Sequence, residues 1–193
     1  MLRKKYFSSV GMLLLTLSLM GCSSDNDSQP QSPLPDYDLQ LVFIDDFDGT
    51  ALNEEIWTPH RGLVHTYGAP YNSAIDDNGF DKNQVSVKDG NLILNWEKKP
   101  ITIGNTTYPY SAGVAHSGKG LHFSYGYIEA RIWFSKYSGL TPAFWLLPLP
   151  VDDHWPPEID IAELTPDDTP DGLYKPHFNY HWSDNSGEHQ QMQ

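Results

Sequence analysis

This chain is poor in cysteine, in basic residues and in helical pattern, and each shortage narrows what it can be. Its one cysteine, Cys22, cannot close an internal disulfide, so the folded part has no covalent staple. Twelve Lys and Arg stand against 25 Asp and Glu in 193 residues, a formal charge of −13. A polyanion such as nucleic acid would be repelled, and no nucleic-acid partner is expected. No stretch sustains the apolar period of an amphipathic helix. The apolar run from Val10 to Met20 has eleven residues, short of the roughly 20 that span a bilayer. Aromatic side chains are the abundant class, at 13% of the chain with six Trp and eleven Tyr. That content excludes a disordered chain, and the length suits a single domain.

Three segments follow from composition. Arg3, Lys4 and Lys5 precede the apolar run, which closes on Leu19-Met20-Gly21-Cys22. This ending resembles the lipobox of bacterial lipoproteins, which implies a signal peptide over residues 1–21 and a lipid on Cys22. Residues 22–38, rich in Ser, Asp, Asn, Gln and Pro, are expected to form a flexible tether. Residues 39–193 form the expected domain, held to the bacterial cell envelope through Cys22, at the outer membrane or cell surface.

Within that domain, short apolar runs alternate with turn residues. Val85–Lys88 and Asn91–Trp96 flank Asp89-Gly90, and Ile101–Ile103 and Thr106–Tyr108 flank Gly104-Asn105, predicting two tight hairpins. Tyr127–Phe134 alternates, with Ile128, Ala130, Ile132 and Phe134 on a core face, and reads as another strand. The pattern predicts an all-β sandwich of two antiparallel sheets.

The hexapeptide Glu158-Ile159-Asp160-Ile161-Ala162-Glu163 carries the chemistry. On a strand, Glu158 and Asp160 share one face while Ile159 and Ile161 point to the core. Strict alternation puts Glu163 on the wrong side, and a β-bulge at Ile161-Ala162 would return it to the acidic face. Carboxylates so close cannot all ionise freely, so one keeps its proton beside an ionised neighbour. A protonated acid beside a carboxylate is what retaining glycoside hydrolysis requires.

The blocks Leu41–Gly49, Trp57, Val85–Leu92, Tyr125–Arg131, Gly139–Pro148 and Trp155-Pro156-Pro157, followed by the acidic hexapeptide, occur in one order. In that order they resemble glycoside hydrolase family 16, whose members are β-jelly-roll enzymes that cut β-linked glucans and galactans with retention. The resemblance implies Glu158 as nucleophile, Asp160 as its helper and Glu163 as acid/base. The bulged motif is similar to that of laminarinases, agarases and carrageenases. By the same resemblance Trp155 and His181 are candidates to bind sugar; Trp145, on the preceding strand, and Asn179, which shares one strand face with His177 and His181, join them. Asp46 and the backbone of Gly90 are candidates for a structural calcium; no other cofactor is expected. Thr141 stands where many laminarinases carry Trp, so that platform is not expected. A family 16 jelly roll continues beyond the position of Gln193, and the chain is therefore expected to be an N-terminal fragment with its C-terminal strands missing. The expected partner is a polysaccharide, cut by a monomer. β-1,3-Glucan leads, and agar, porphyran or carrageenan is the alternative. A non-catalytic glycan-binding lipoprotein is the reading from another class, and an inactive fragment is a third.

Overall fold

The computed structural model describes residues 37, 39–61, 67–135, 137–149, 155–165 and 175–193. The signal peptide and lipidated Cys22 expected above lie outside the described residues, as does nearly all of the tether.

Eleven strands are described, in chain order β1 (Asn78–Phe80), β2 (Val85–Lys88), β3 (Asn91–Leu94), β4 (Trp96–Glu97), β5 (Ile101–Ile103), β6 (Thr106–Tyr108), β7 (Tyr110–Ala112), β8 (Ala143–Leu146), β9 (Glu158–Glu163), β10 (His177–Ser183) and β11 (His189–Met192). Among the described residues the one helical element is a short 3-10 turn at Lys82–Gln84, started by Asp81, whose side chain accepts from the Asn83 N–H. The chain is all-β, as its composition implies.

Both predicted hairpins form. Val85 pairs with Leu94 and Lys88 with Asn91 across β2–β3, and Asp89 and Gly90 take φ of 51° and 70°. Two consecutive positive φ values match the right-handed twist of the flanking strands. A Cβ on Gly90 would come no closer than 3.7 Å to the Asp46 carbonyl, so Gly90→Ala would suffer only the backbone strain. That strain costs about 1–2 kcal/mol, and the denaturation midpoint in urea should fall accordingly; an unchanged midpoint would refute this account of the turn. In the second hairpin, β5 and β6 pair Thr102 with Thr107, whose hydroxyls lie 2.9 Å apart.

β1, β7 and β4 make a small mixed sheet in which β1 runs parallel to β7, so the expectation of purely antiparallel pairing fails there. Gln84 ties it down, donating its amide to Ser111 of β7 and Glu97 of β4, both at 3.1 Å.

The sheet that positions the site is antiparallel, in the order β11-β10-β9-β8. Tyr127–Phe134 departs from expectation: it takes no strand pairing. Its apolar side is still where alternation put it. Ile128, Ile132 and Phe134 face Phe144, Ile161 and Phe178 across a hollow of about 370 Å³. Ile159, expected to point into the core, is 44% exposed, and Phe178 on the same face is 64% exposed. Alternation identifies the apolar side of a strand; what covers that side depends on distant segments.

Candidate active site

β9 carries Glu158, Asp160 and Glu163 in the middle of the four-stranded sheet. Against β8, Trp145 pairs with Asp160 but the next residue back, Phe144, pairs with Ala162. Against β10, Asn179 pairs with Asp160 and His177 with Glu163. Both neighbours therefore skip one residue of β9, which is the bulge at Ile161-Ala162 that the hexapeptide spacing predicted. Directly opposed residues of antiparallel strands share a face. Glu158 with His181, Asp160 with Trp145 and Asn179, and Glu163 with His177 thus line one side of the sheet.

Burial grades along this row. Asp160 is buried at 5% exposure, and its carboxylate faces His181 Nε2 at 3.3 Å. Glu158 is half-buried and accepts a hydrogen bond from the Trp155 indole N–H. Burial raises the Glu158 pKa above its ordinary value; the Trp155 bond pulls it down, the Asp160 charge pushes it up, and His181 pulls it down again. Glu163 is also raised, by burial first and then by Asp160, with His177 and His181 acting the other way. Burial and the Asp160 charge favour the protonated form of both acids, and the Trp155 N–H opposes them at Glu158 alone.

Aromatic walls flank the carboxylates. Trp155 is 47% exposed, so its indole both holds Glu158 and leaves surface free. Trp145 meets Tyr71 edge-on with ring centroids 4.8 Å apart, and the Arg61 guanidinium lies 4.1 Å over the Tyr71 ring. Arg61 also donates to the carbonyls of Ala69 and Pro70, which pins this loop. Burial raises the Tyr71 hydroxyl, Arg61 lowers it and the Glu158 charge raises it further. Tyr71 is therefore part of the same electrostatic site.

Two residues here were not among the candidates. His189 of β11 places its Nε2 2.9 Å from His181 Nδ1 and its ring 5.0 Å from Trp155. The signal that could have found it is the run Asp184–Gly187. Asp184 accepts from the Ser186 and Glu188 N–H groups, and Gly187 takes φ of 86°. This turn starts a hairpin, and pairing Ser183 with His189 brings His189 diagonal to His181. His177, opposite Glu163, is the second.

Glu158, Asp160 and His181 also supply the one group, among the described residues, of three His, Cys, Asp or Glu side chains with ligand atoms within 4.8 Å. These side chains are already engaged with one another and with Trp155, Asn179 and His189, as in an acid–base array. At the expected calcium position, the Asp46 carbonyl does lie close to Gly90. However, the described residues gather no comparable cluster of side-chain ligands there, and calcium takes roughly six to eight oxygens.

The model of glycosyl hydrolases family 16 matches residues 76–193. The chain belongs to family 16. The match covers the carboxylate row, both neighbouring strands and the Trp155 approach. Endo-1,3-1,4-beta-glycanase EglC of Rhizobium meliloti (strain 1021) is 30% identical over 140 residues, 65% of this chain. The chain spans 30% of that relative's length. Among solved structures, the endo-beta-1,3-glucanase from Pyrococcus furiosus is 27% identical with a TM-score of 0.58, over 79% of this chain and 60% of its own. The laminarinase catalytic domain from Thermotoga maritima MSB8 has a TM-score of 0.62 at 24% identity, over 79% of this chain and 61% of its own. The sheets described above are thus those of the family 16 β-jelly roll.

Proposed function

We propose that this chain carries the catalytic face of a retaining endo-glycoside hydrolase acting on β-1,3-glucan. The observation that carries the reading is the row of Glu158, Asp160 and Glu163 brought to one sheet face by the β9 bulge. Glu158, its anion held by the Trp155 N–H, attacks the anomeric carbon. Glu163, its proton held by burial and the Asp160 charge, passes that proton to the departing glycosidic oxygen. The sugar is then esterified to Glu158. Glu163, now a carboxylate, takes a proton from a water molecule that attacks the same carbon and frees Glu158. Asp160 sits between the two acids along β9, its carboxylate facing His181. Trp155, Trp145, Asn179 and His181 would line the sugar around this point: the indoles offer flat apolar faces, Asn179 an amide, and His181 the edge of a ring held by Asp160 and His189.

A neutral glucan suits a chain of net charge −13, and the names of the Pyrococcus and Thermotoga structures point the same way. The basic leader and Cys22 support lipid anchoring at the bacterial cell envelope. The full chain should be assayed for new reducing ends on laminarin, agarose, porphyran and carrageenan. Laminarin should be cut fastest, and proton NMR should show the β-anomer first. Cleavage of a galactan instead would overturn the substrate, an α-anomer first would overturn retention, and binding without product would favour the non-catalytic alternative.

A further inference from the structure

His181 can donate to the Asp160 carboxylate only if its proton is on the nitrogen that faces it. His181 Nε2 lies 3.3 Å from Asp160 Oδ2; bare, its lone pair would meet a carboxylate lone pair, and protonated, it donates. The other ring nitrogen, Nδ1, lies 2.9 Å from His189 Nε2. The rings are within 17° of coplanar, with centroids 5.1 Å apart. This is the spacing of an in-plane N–H···N bond, since the centroids lie about a ring radius beyond each nitrogen.

Such a bond needs one N–H and one lone pair. When His189 donates, neutral His181 is left with Nδ1 bare and its single proton on Nε2, toward Asp160. In that arrangement Asp160 receives a donor. Asn179 competes for that nitrogen. Its Nδ2 lies 2.8 Å from His181 Nε2 while its Oδ1 is buried without a partner; with the amide turned by half, which exchanges atoms of nearly equal size, its oxygen and Asp160 share the Nε2 proton.

We infer that His189 is a positioning residue, which through its hydrogen bond to His181 holds the His181 proton on the nitrogen that faces Asp160. The inference rests on the hydrolase reading above and deepens it. His189 also touches Trp155, the donor to Glu158, so it braces both supports of the nucleophile. The charged and titratable groups around the pair are Asp160 and Glu158 of β9, Glu163 farther along that strand, His177 of β10 opposite Glu163, and Tyr71 facing Glu158.

Two variants of the full chain separate hydrogen bond from packing. His189→Phe keeps a ring against Trp155 and loses the bond; His189→Gln keeps a donor and acceptor and loses the ring. In His189→Phe, the acid limb of the kcat/KM–pH profile should move up by about one pH unit, the size of one lost charge-assisted hydrogen bond. His189→Gln should hold the wild-type limb. A merely structural role would lower activity evenly across pH in both variants and leave the limb in place, which would overturn the inference. Long-range 1H–15N NMR of the wild-type imidazoles supplies a readout independent of turnover. Neutral His181 should be protonated at Nε2 and bare at Nδ1, and the reverse tautomer would overturn the inference. If the wild type cleaves no glucan, the hydrolase reading fails, and the NMR result still decides the tautomer.

Discussion

Replacing Glu158 with Gln should reduce glucan cleavage by about 10⁴-fold or more, the scale on which a covalent nucleophile acts. The change is nearly isosteric, and the amide oxygen can still accept the Trp155 N–H that Glu158 accepts now, so the site should keep its shape and lose its charge. Asp160 cannot take over the attack, because its carboxylate is buried and directed at His181. Glu158→Ala extends the test. The truncated side chain leaves space for a small anion, and added azide should attack from the side of the missing carboxylate and yield the α-glycosyl azide, with the anomeric centre inverted. Wild-type rates of reducing-end release from Glu158→Gln would remove Glu158 from the chemistry.

Much of this geometry was legible in sequence because it is local. Asp89-Gly90 and Gly104-Asn105 each fix a hairpin within a few residues, and the spacing of Glu163 from Asp160 encodes the bulge without reference to any other strand. Cross-strand company is a different matter. Whether Trp145 faced the carboxylates or the core was undecidable until its pairing with Asp160 fixed the face. The Tyr71 ring against Trp145 joins loop to sheet over a long sequence separation, and nothing in the loop's own sequence fixes which strand it meets. His189 was hidden for a related reason. Asp184–Gly187 is polar throughout, yet its side-chain-to-backbone bonds make it a turn, and only a turn of that length sets His189 beside His181. Tyr127–Phe134 shows the converse error: its alternation was right about the apolar side and wrong about strand pairing, because hydrogen-bonding partners are not written in a strand's own period.

Glu163→Gln should cost about 10²–10⁴-fold on a polymer, the usual contribution of a positioned general acid, and the loss should depend on what departs. An aryl glycoside with a good leaving group needs no proton, so the first step should survive; the second step, deprived of its base, should stall and leave a burst of aryl product. Azide should relieve the stall and give the β-glycosyl azide, since Glu158 is intact. The alkaline limb of the wild-type profile should lie above the ordinary carboxylate range, because burial and the Asp160 charge raise Glu163, and the variant should lose that limb. Stability should move in the opposite direction to activity. Glu163 binds its proton more tightly folded than unfolded, so its favourable contribution is complete below the unfolded pKa and is lost as pH rises through the folded one. Near neutral pH the charged side chain therefore weakens the fold, and an uncharged amide of the same size should strengthen it. Glu163→Gln should accordingly unfold at higher urea than wild type near neutral pH, with the gap closing below about pH 4, where both side chains are uncharged. A variant that is less stable at neutral pH, or that keeps the alkaline limb, would show that Glu163 is not the buried acid that the β9 bulge delivers to the nucleophile.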